Sequence, residues 1–126
     1  MLEPLKCYII EDEPLAVEQL QSYIFRHKDL TLLGHTDYIG DPADFITEIW
    51  NADILFLDIQ VRGGNINQLK QELKFVPYIV ITSALSPLNY PNFIKERVYF
   101  TLRKPTTIEV FEKCIQKIIE RKYTDI

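Results

Sequence analysis

Asp53-Ile54-Leu55-Phe56-Leu57-Asp58 decides the fold. Four successive apolar residues leave no polar face, so a strand built from them is covered on both sides, as in parallel sheets with helices above and below. Two more runs have the same character, Cys7-Tyr8-Ile9-Ile10 and Tyr78-Ile79-Val80-Ile81. Further strands are expected from Leu30 to about His35, broken by a single glycine, and from Val98 to Leu102. Between the strands the apolar spacing turns helical. Ala16, Leu20, Tyr23 and Ile24 mark a helix from Leu15 to about Lys28, entered through Pro14. Phe45, Ile46, Ile49 and Trp50 form a stripe, expected to pack in the core, on a helix opened by Asp41-Pro42. Ile66, Leu69 and Leu73 follow a Gly63-Gly64-Asn65 turn, and Ile108, Phe111, Ile115, Ile118 and Ile119 mark the clearest amphipathic helix. Pro87 and Pro91 allow only a short or displaced helix between Ala84 and Lys95. The alternation implies an α/β fold, a doubly wound five-stranded parallel sheet with helices on both faces, for which 2-1-3-4-5 is the strand order expected here among the common ones.

The 126 residues are treated as one domain, 1–126. Hydrophobic residues make up 47% and charged residues 25%, which excludes disordered and disulfide-framework classes. A net charge of −4 weighs against direct nucleic-acid binding. No apolar run reaches the ~20 residues of a membrane helix, and the N-terminus lacks a signal-peptide pattern, so the expected location is cytoplasmic. Cys7 and Cys114 read as reduced core thiols, and two histidines, His27 and His35, supply no zinc-ligand spacing and are expected to cap or pack.

In sheets of this kind ligands bind beyond the carboxyl ends of the strands. Strand one ends in Glu11-Asp12, strand three in Asp58, strand four in Thr82 and strand five in Arg103-Lys104-Pro105. One Asp after a strand is most often a helix cap, and one Lys is usually solvated. The joint pattern is a different matter. Strands one and three are neighbours in the 2-1-3-4-5 order, so three carboxylates would crowd together unless a cation neutralised them. Carboxylate and carbonyl oxygens suit Mg²⁺ and not Zn²⁺. Lys104 would add a positive charge and Thr82 a hydroxyl, both able to bind a phosphoryl group on Asp58.

Tyr8 to Ala16, Asp53 to Gln60 and Leu102-Arg103-Lys104-Pro105 resemble the receiver domains of bacterial two-component response regulators, the CheY-like family. Among them they are similar to receivers that precede a LytTR-type DNA-binding domain. The resemblance covers nearly the whole chain. It implies that Asp58 is the phosphoacceptor, that Glu11, Asp12, Asp58 and the Gln60 carbonyl hold Mg²⁺, that Lys104 contacts phosphoryl oxygens, and that Thr82 is the switch hydroxyl. It further implies phosphotransfer from a sensor histidine kinase and a cis peptide before Pro105. A homodimer and a DNA-binding output domain beyond Ile126 are compatible with it, and transcription regulation would follow from the latter.

The chain departs from the family at three places. Val61-Arg62-Gly63-Gly64-Asn65-Ile66 replaces the usual Met-Pro-Gly loop, which suggests a looser segment; Thr101 stands where an aromatic is common, beside Tyr99 and Phe100; and the prolines shorten the fourth helix. A receiver-fold interaction module that signals without phosphorylation therefore stays open as an alternative. An aspartate-nucleophile phosphatase is disfavoured because Gln60 occupies the position of its general acid. A flavodoxin is disfavoured because Glu11-Asp12-Glu13-Pro14 would repel a flavin phosphate. Arg62 and Arg103 flank the proposed site and are assigned no role.

Overall fold

The computed structural model describes residues 3–61, 63–64, 66–84 and 86–124. Its strands are β1 (Leu5–Ile10), β2 (Leu30–Thr36), β3 (Ile54–Leu57), β4 (Tyr78–Ser83) and β5 (Phe100–Arg103). Its α-helices are α1 (Pro14–Arg26), α2 (Ile46–Asn51), α3 (Lys70–Leu73), α4 (Asn92–Lys95) and α5 (Ile108–Thr124). The strands form one sheet of order β2-β1-β3-β4-β5, with every pairing parallel, as the apolar runs imply. All four residues of β3 are buried, whereas edge strand β2 alternates between covered and exposed positions. The central strand has helices on both faces and the edge strand meets water, which is why only the former lacks a polar periodicity.

The sheet separates two apolar layers. On one face α1 and α5 set Leu20, Ile24, Phe111, Ile115 and Ile118 against Cys7, Ile9, Ile54, Phe56 and Val80. Phe56 and Phe111 stack there with ring centroids 5.7 Å apart. Burial pushes the Cys7 thiol up to about 12 and that of Cys114 to about 11, so both free cysteines stay protonated at neutral pH. On the other face Phe45, Ile49, Leu69, Leu73 and Ile94 cover Tyr8, Ile10, Leu55, Leu57, Ile79 and Ile81. Here the helices are short, six residues for α2 and four each for α3 and α4. A 3-10 turn precedes each of them, at Pro42–Asp44, Ile66–Leu69 and Pro87–Asn89. The short α4 agrees with the expectation from Pro87 and Pro91.

Some local expectations change. Trp50 is not a core residue: it is 57% exposed. Because α2 begins only at Ile46, Phe45 and Ile49 take the inward positions, and Trp50, about 100° further round the helix, points outward. In α1 the buried positions are Val17, Leu20 and Ile24, with Ala16 only partly covered, and the helix stops at Arg26 rather than near Lys28. The last strand starts at Phe100, and Val98 is exposed. His27 follows α1 as expected of a capping residue. Its Nδ1 accepts the Asp29 N–H at 3.1 Å, and its Nε2 lies 3.3 Å from Glu112 on α5. Arg62 and Asn65 lie outside the described residues. In the described part of their loop, the Gly63 carbonyl accepts the Gly40 N–H at 3.2 Å. Gly63 is thus tied by one backbone hydrogen bond to the β2–α2 connection. No helix among the described residues is long and apolar enough to cross a membrane.

Candidate functional site

Parallel pairing of β1 with β3 aligns Ile10 with Leu57, so the two chains leave the sheet side by side. The Asp58 N–H donates to the Ile10 carbonyl at 2.9 Å, and the Glu11 N–H to the Thr36 carbonyl at 2.9 Å. This register brings together the residues that the strand ends singled out. One carboxylate oxygen from each of Glu11, Asp12 and Asp58 lies within 4.8 Å of the others. Glu11 is fully buried and Asp58 is 3% exposed. Charges so placed need compensation, since taking carboxylates out of water costs several kcal/mol unless partners are supplied.

The main partner is Lys104, one residue beyond β5, and its peptide bond to Pro105 is cis, as the resemblance implies. Its Nζ lies 2.7 Å from Glu11 Oε1, 3.1 Å from Glu13 Oε2 and 3.2 Å from Asp58 Oδ2. Backbone donors assist: the Gln60 N–H reaches Asp58 Oδ1 at 2.9 Å and the Glu13 N–H reaches Glu11 Oε2 at 3.1 Å. Among the described residues one ammonium is shared by the carboxylates of Glu11, Glu13 and Asp58. Burial pushes the Glu11 carboxyl up to about 7, with Asp58 adding to the rise while Lys104 and the Glu13 N–H oppose it. Burial pulls the Lys104 ammonium down, but hydrogen bonding to Glu11 and the charges of Asp58 and Glu11 outweigh it and hold the group above its ordinary range.

Thr82, the penultimate residue of β4, lies one residue beyond the Ile81–Leu57 pairing, level with Asp58. Its hydroxyl is buried and has no hydrogen-bond partner among the described residues. An orphaned buried hydroxyl costs about 1–3 kcal/mol, so this one stands ready for an added acceptor. Asp12, Glu13, Pro14, Asp58, Gln60, Ala84 and Lys104 line the shallow opening to solvent. The donor set is all oxygen and carries excess negative charge, which fits a hard divalent cation with some retained water. Gln60 lies at the rim and contributes its backbone there.

Three features escaped the reading of strand ends. Glu13 joins the Lys104 network, although it had been read only as part of an acidic loop. Arg97, after α4, gives its guanidinium to the carbonyls of Leu73 and Val76, each at 2.8 Å, and of Pro77 at 3.3 Å. No motif marks a side chain used in this way. The third is aromatic: Thr101 is exposed, while Tyr99 meets Tyr90 edge to face with centroids 5.8 Å apart. Arg103 is exposed.

No protein-family profile matches the sequence. Among curated proteins the chain is similar to the sensory transduction protein LytT of Bacillus cereus, 29% identical over 134 aligned residues that cover 94% of this chain and 52% of that protein. It is also similar to the transcriptional regulatory protein BtsR of Escherichia coli K12, 26% identical over 122 residues, or 94% of this chain and 49% of that one. The chain thus spans about half the length of these relatives. Among solved structures it matches the signal receiver domain of the putative response regulator NarL from Mycobacterium tuberculosis. The TM-score is 0.74 at 18% identity, covering 94% of this chain and 98% of that one. It also matches the CheX–CheY–BeF₃–Mg complex from Borrelia burgdorferi, with a TM-score of 0.70 at 16% identity, covering 93% and 90% of the two chains. The fold is that of the CheY-like receiver domains of response regulators.

Proposed function

We propose that this chain, a receiver domain of two-component response regulators by fold and by its likeness to LytT and BtsR, accepts a phosphoryl group on Asp58. The observation that carries the reading is the convergence of a buried Asp58 with Glu11, Asp12 and Lys104 at one sheet edge. Asp58 Oδ attacks phosphorus in line, the bond from phosphorus to the donor nitrogen of a kinase histidine breaks, and the electron pair leaves with the imidazole. Lys104 receives a phosphoryl oxygen, and the Thr82 hydroxyl, which lacks a partner among the described residues, donates to another. Glu11, Asp12, Asp58 and the Gln60 carbonyl would hold Mg²⁺. Bound there, the metal would supply neutralising charge for both the carboxylates and the phosphoryl group.

The protein's own contribution is position and charge, so it acts on no substrate beyond its own phosphorylation and slow dephosphorylation. Engagement of Thr82, near the end of β4, and of Lys104, just after β5, biases those strands and the α4 segment toward a second arrangement. A histidine kinase is the phosphodonor and a DNA-binding domain in the same protein is the output, by analogy with relatives about twice as long. Thr101 is exposed, and this reading gives it no part in the switch. That same observation favours the second reading, a receiver-fold interaction module that works without phosphorylation. Beryllofluoride with Mg²⁺ distinguishes the two. The wild type should gain thermal stability and Asp58→Asn should not. Equal responses would remove Asp58 as acceptor, and no response in either would favour the interaction module.

A further inference from the structure

The Lys104 ammonium donates to Glu13 at 3.1 Å and to Asp58 at 3.2 Å, and lies 2.7 Å from Glu11. These partners differ in access. The side chains of Glu11 and Asp58 are 0% and 5% exposed, whereas that of Glu13 is 59% exposed. Glu13 also stands at the N-cap of α1, where a side chain ordinarily accepts a helical N–H, yet its carboxylate caps nothing. Its acceptor capacity goes to Lys104, at the rim that it shares with Asp12, Gln60 and Ala84.

A phosphoryl oxygen that reaches Lys104 competes with the three carboxylates already around it. Glu11 is sealed beneath the site, and Asp58 is the attacking group. Glu13 is the partner that can swing into water. It also leaves a negative charge where an anionic phosphodonor enters. We infer that Glu13 is a positioning residue that occupies the most accessible donor of Lys104 and so selects against small free acyl phosphates as phosphodonors. A protein donor overcomes this restraint with binding energy from its docked surface, which a small anion lacks.

This inference rests on Asp58 being the phosphoacceptor, and its test separates the two claims. Radiolabelled acetyl phosphate with Mg²⁺ is the probe: Asp58 Oδ attacks phosphorus, the bond to the acetate oxygen breaks, and acetate leaves with the electron pair. Initial labelling of the full chain is measured against donor concentration at low and high salt for wild type, Glu13→Gln, Glu13→Asp and Asp58→Asn. Glu13→Gln should label about two- to fivefold faster at low donor concentration, the range set by releasing one exposed ion pair. The gain should lie in half-saturation rather than in the maximal rate and should shrink at high salt, and Glu13→Asp should remain slow. Labelled wild type with Glu13→Gln no faster overturns the inference and leaves the phosphoacceptor reading standing. A wild type that labels no more than Asp58→Asn overturns both.

Discussion

Replacing Glu11 with Gln should change how the metal-free protein responds to pH, in a direction that the site geometry fixes. Glu11 is fully buried, and its carboxyl is pushed from an ordinary 4.5 to about 7 by burial first and by Asp58 next. A folded state that binds a proton more tightly than the unfolded chain is favoured at low pH. The stability from this group is therefore fully present below about 4.5 and is lost as pH rises through about 7. Two to three pH units at about 1.4 kcal/mol each give a loss on the order of 3 kcal/mol. Urea denaturation in chelator from pH 5 to pH 8 measures it. Wild type should lose urea resistance across this range, and Glu11→Gln should lose less, by about 3 kcal/mol in the difference of their slopes summed over the interval. Titrating groups away from the site are common to both proteins and cancel in that difference. Adding Mg²⁺ at pH 7.5 should restore more stability to wild type than to Glu11→Gln, since only the former presents all three carboxylates. Parallel pH profiles in chelator would refute the claim that crowded, buried carboxylates strain this sheet edge.

Two further outcomes follow from contacts away from the site. Arg97→Met keeps the aliphatic stem but removes the donors to the Leu73, Val76 and Pro77 carbonyls, and should cost about 2–3 kcal/mol by urea midpoint; a loss under about 0.5 kcal/mol would show that water replaces the guanidinium. Gly63→Ala should cost about 2 kcal/mol or more, read as a lowered Tm, because Gly63 has φ of 97° and an added Cβ would lie 2.8 Å from the backbone nitrogens of Ile39 and Gly40; an unchanged Tm would show that the loop relaxes freely.

Local chemistry made the strands legible. Ile54 to Leu57 could only be a strand covered on both faces, and the acids after β1 and β3, with Lys104 after β5, could be placed at one edge once that sheet was assumed. Short-range pattern failed where the tertiary environment decides the outcome. Trp50 continues an apolar stripe in sequence, but the late start of α2 turns it to water. Arg97 carries no motif, because its partners are backbone carbonyls contributed by a distant segment.

The sequence by itself determined which residue types stand at the strand ends, since a run of apolar side chains stops where the chain meets solvent. Only the tertiary structure decided their electrostatics. Parallel pairing of β1 with β3 forces Glu11 and Asp58 together, and β5 delivers Lys104 from a segment 46 residues beyond Asp58. Whether Glu13 is a solvated acid or the third partner of that lysine depends on how the β1–α1 turn folds back over it. Distance and burial set the strength of charge interactions, and neither can be read from a linear chain.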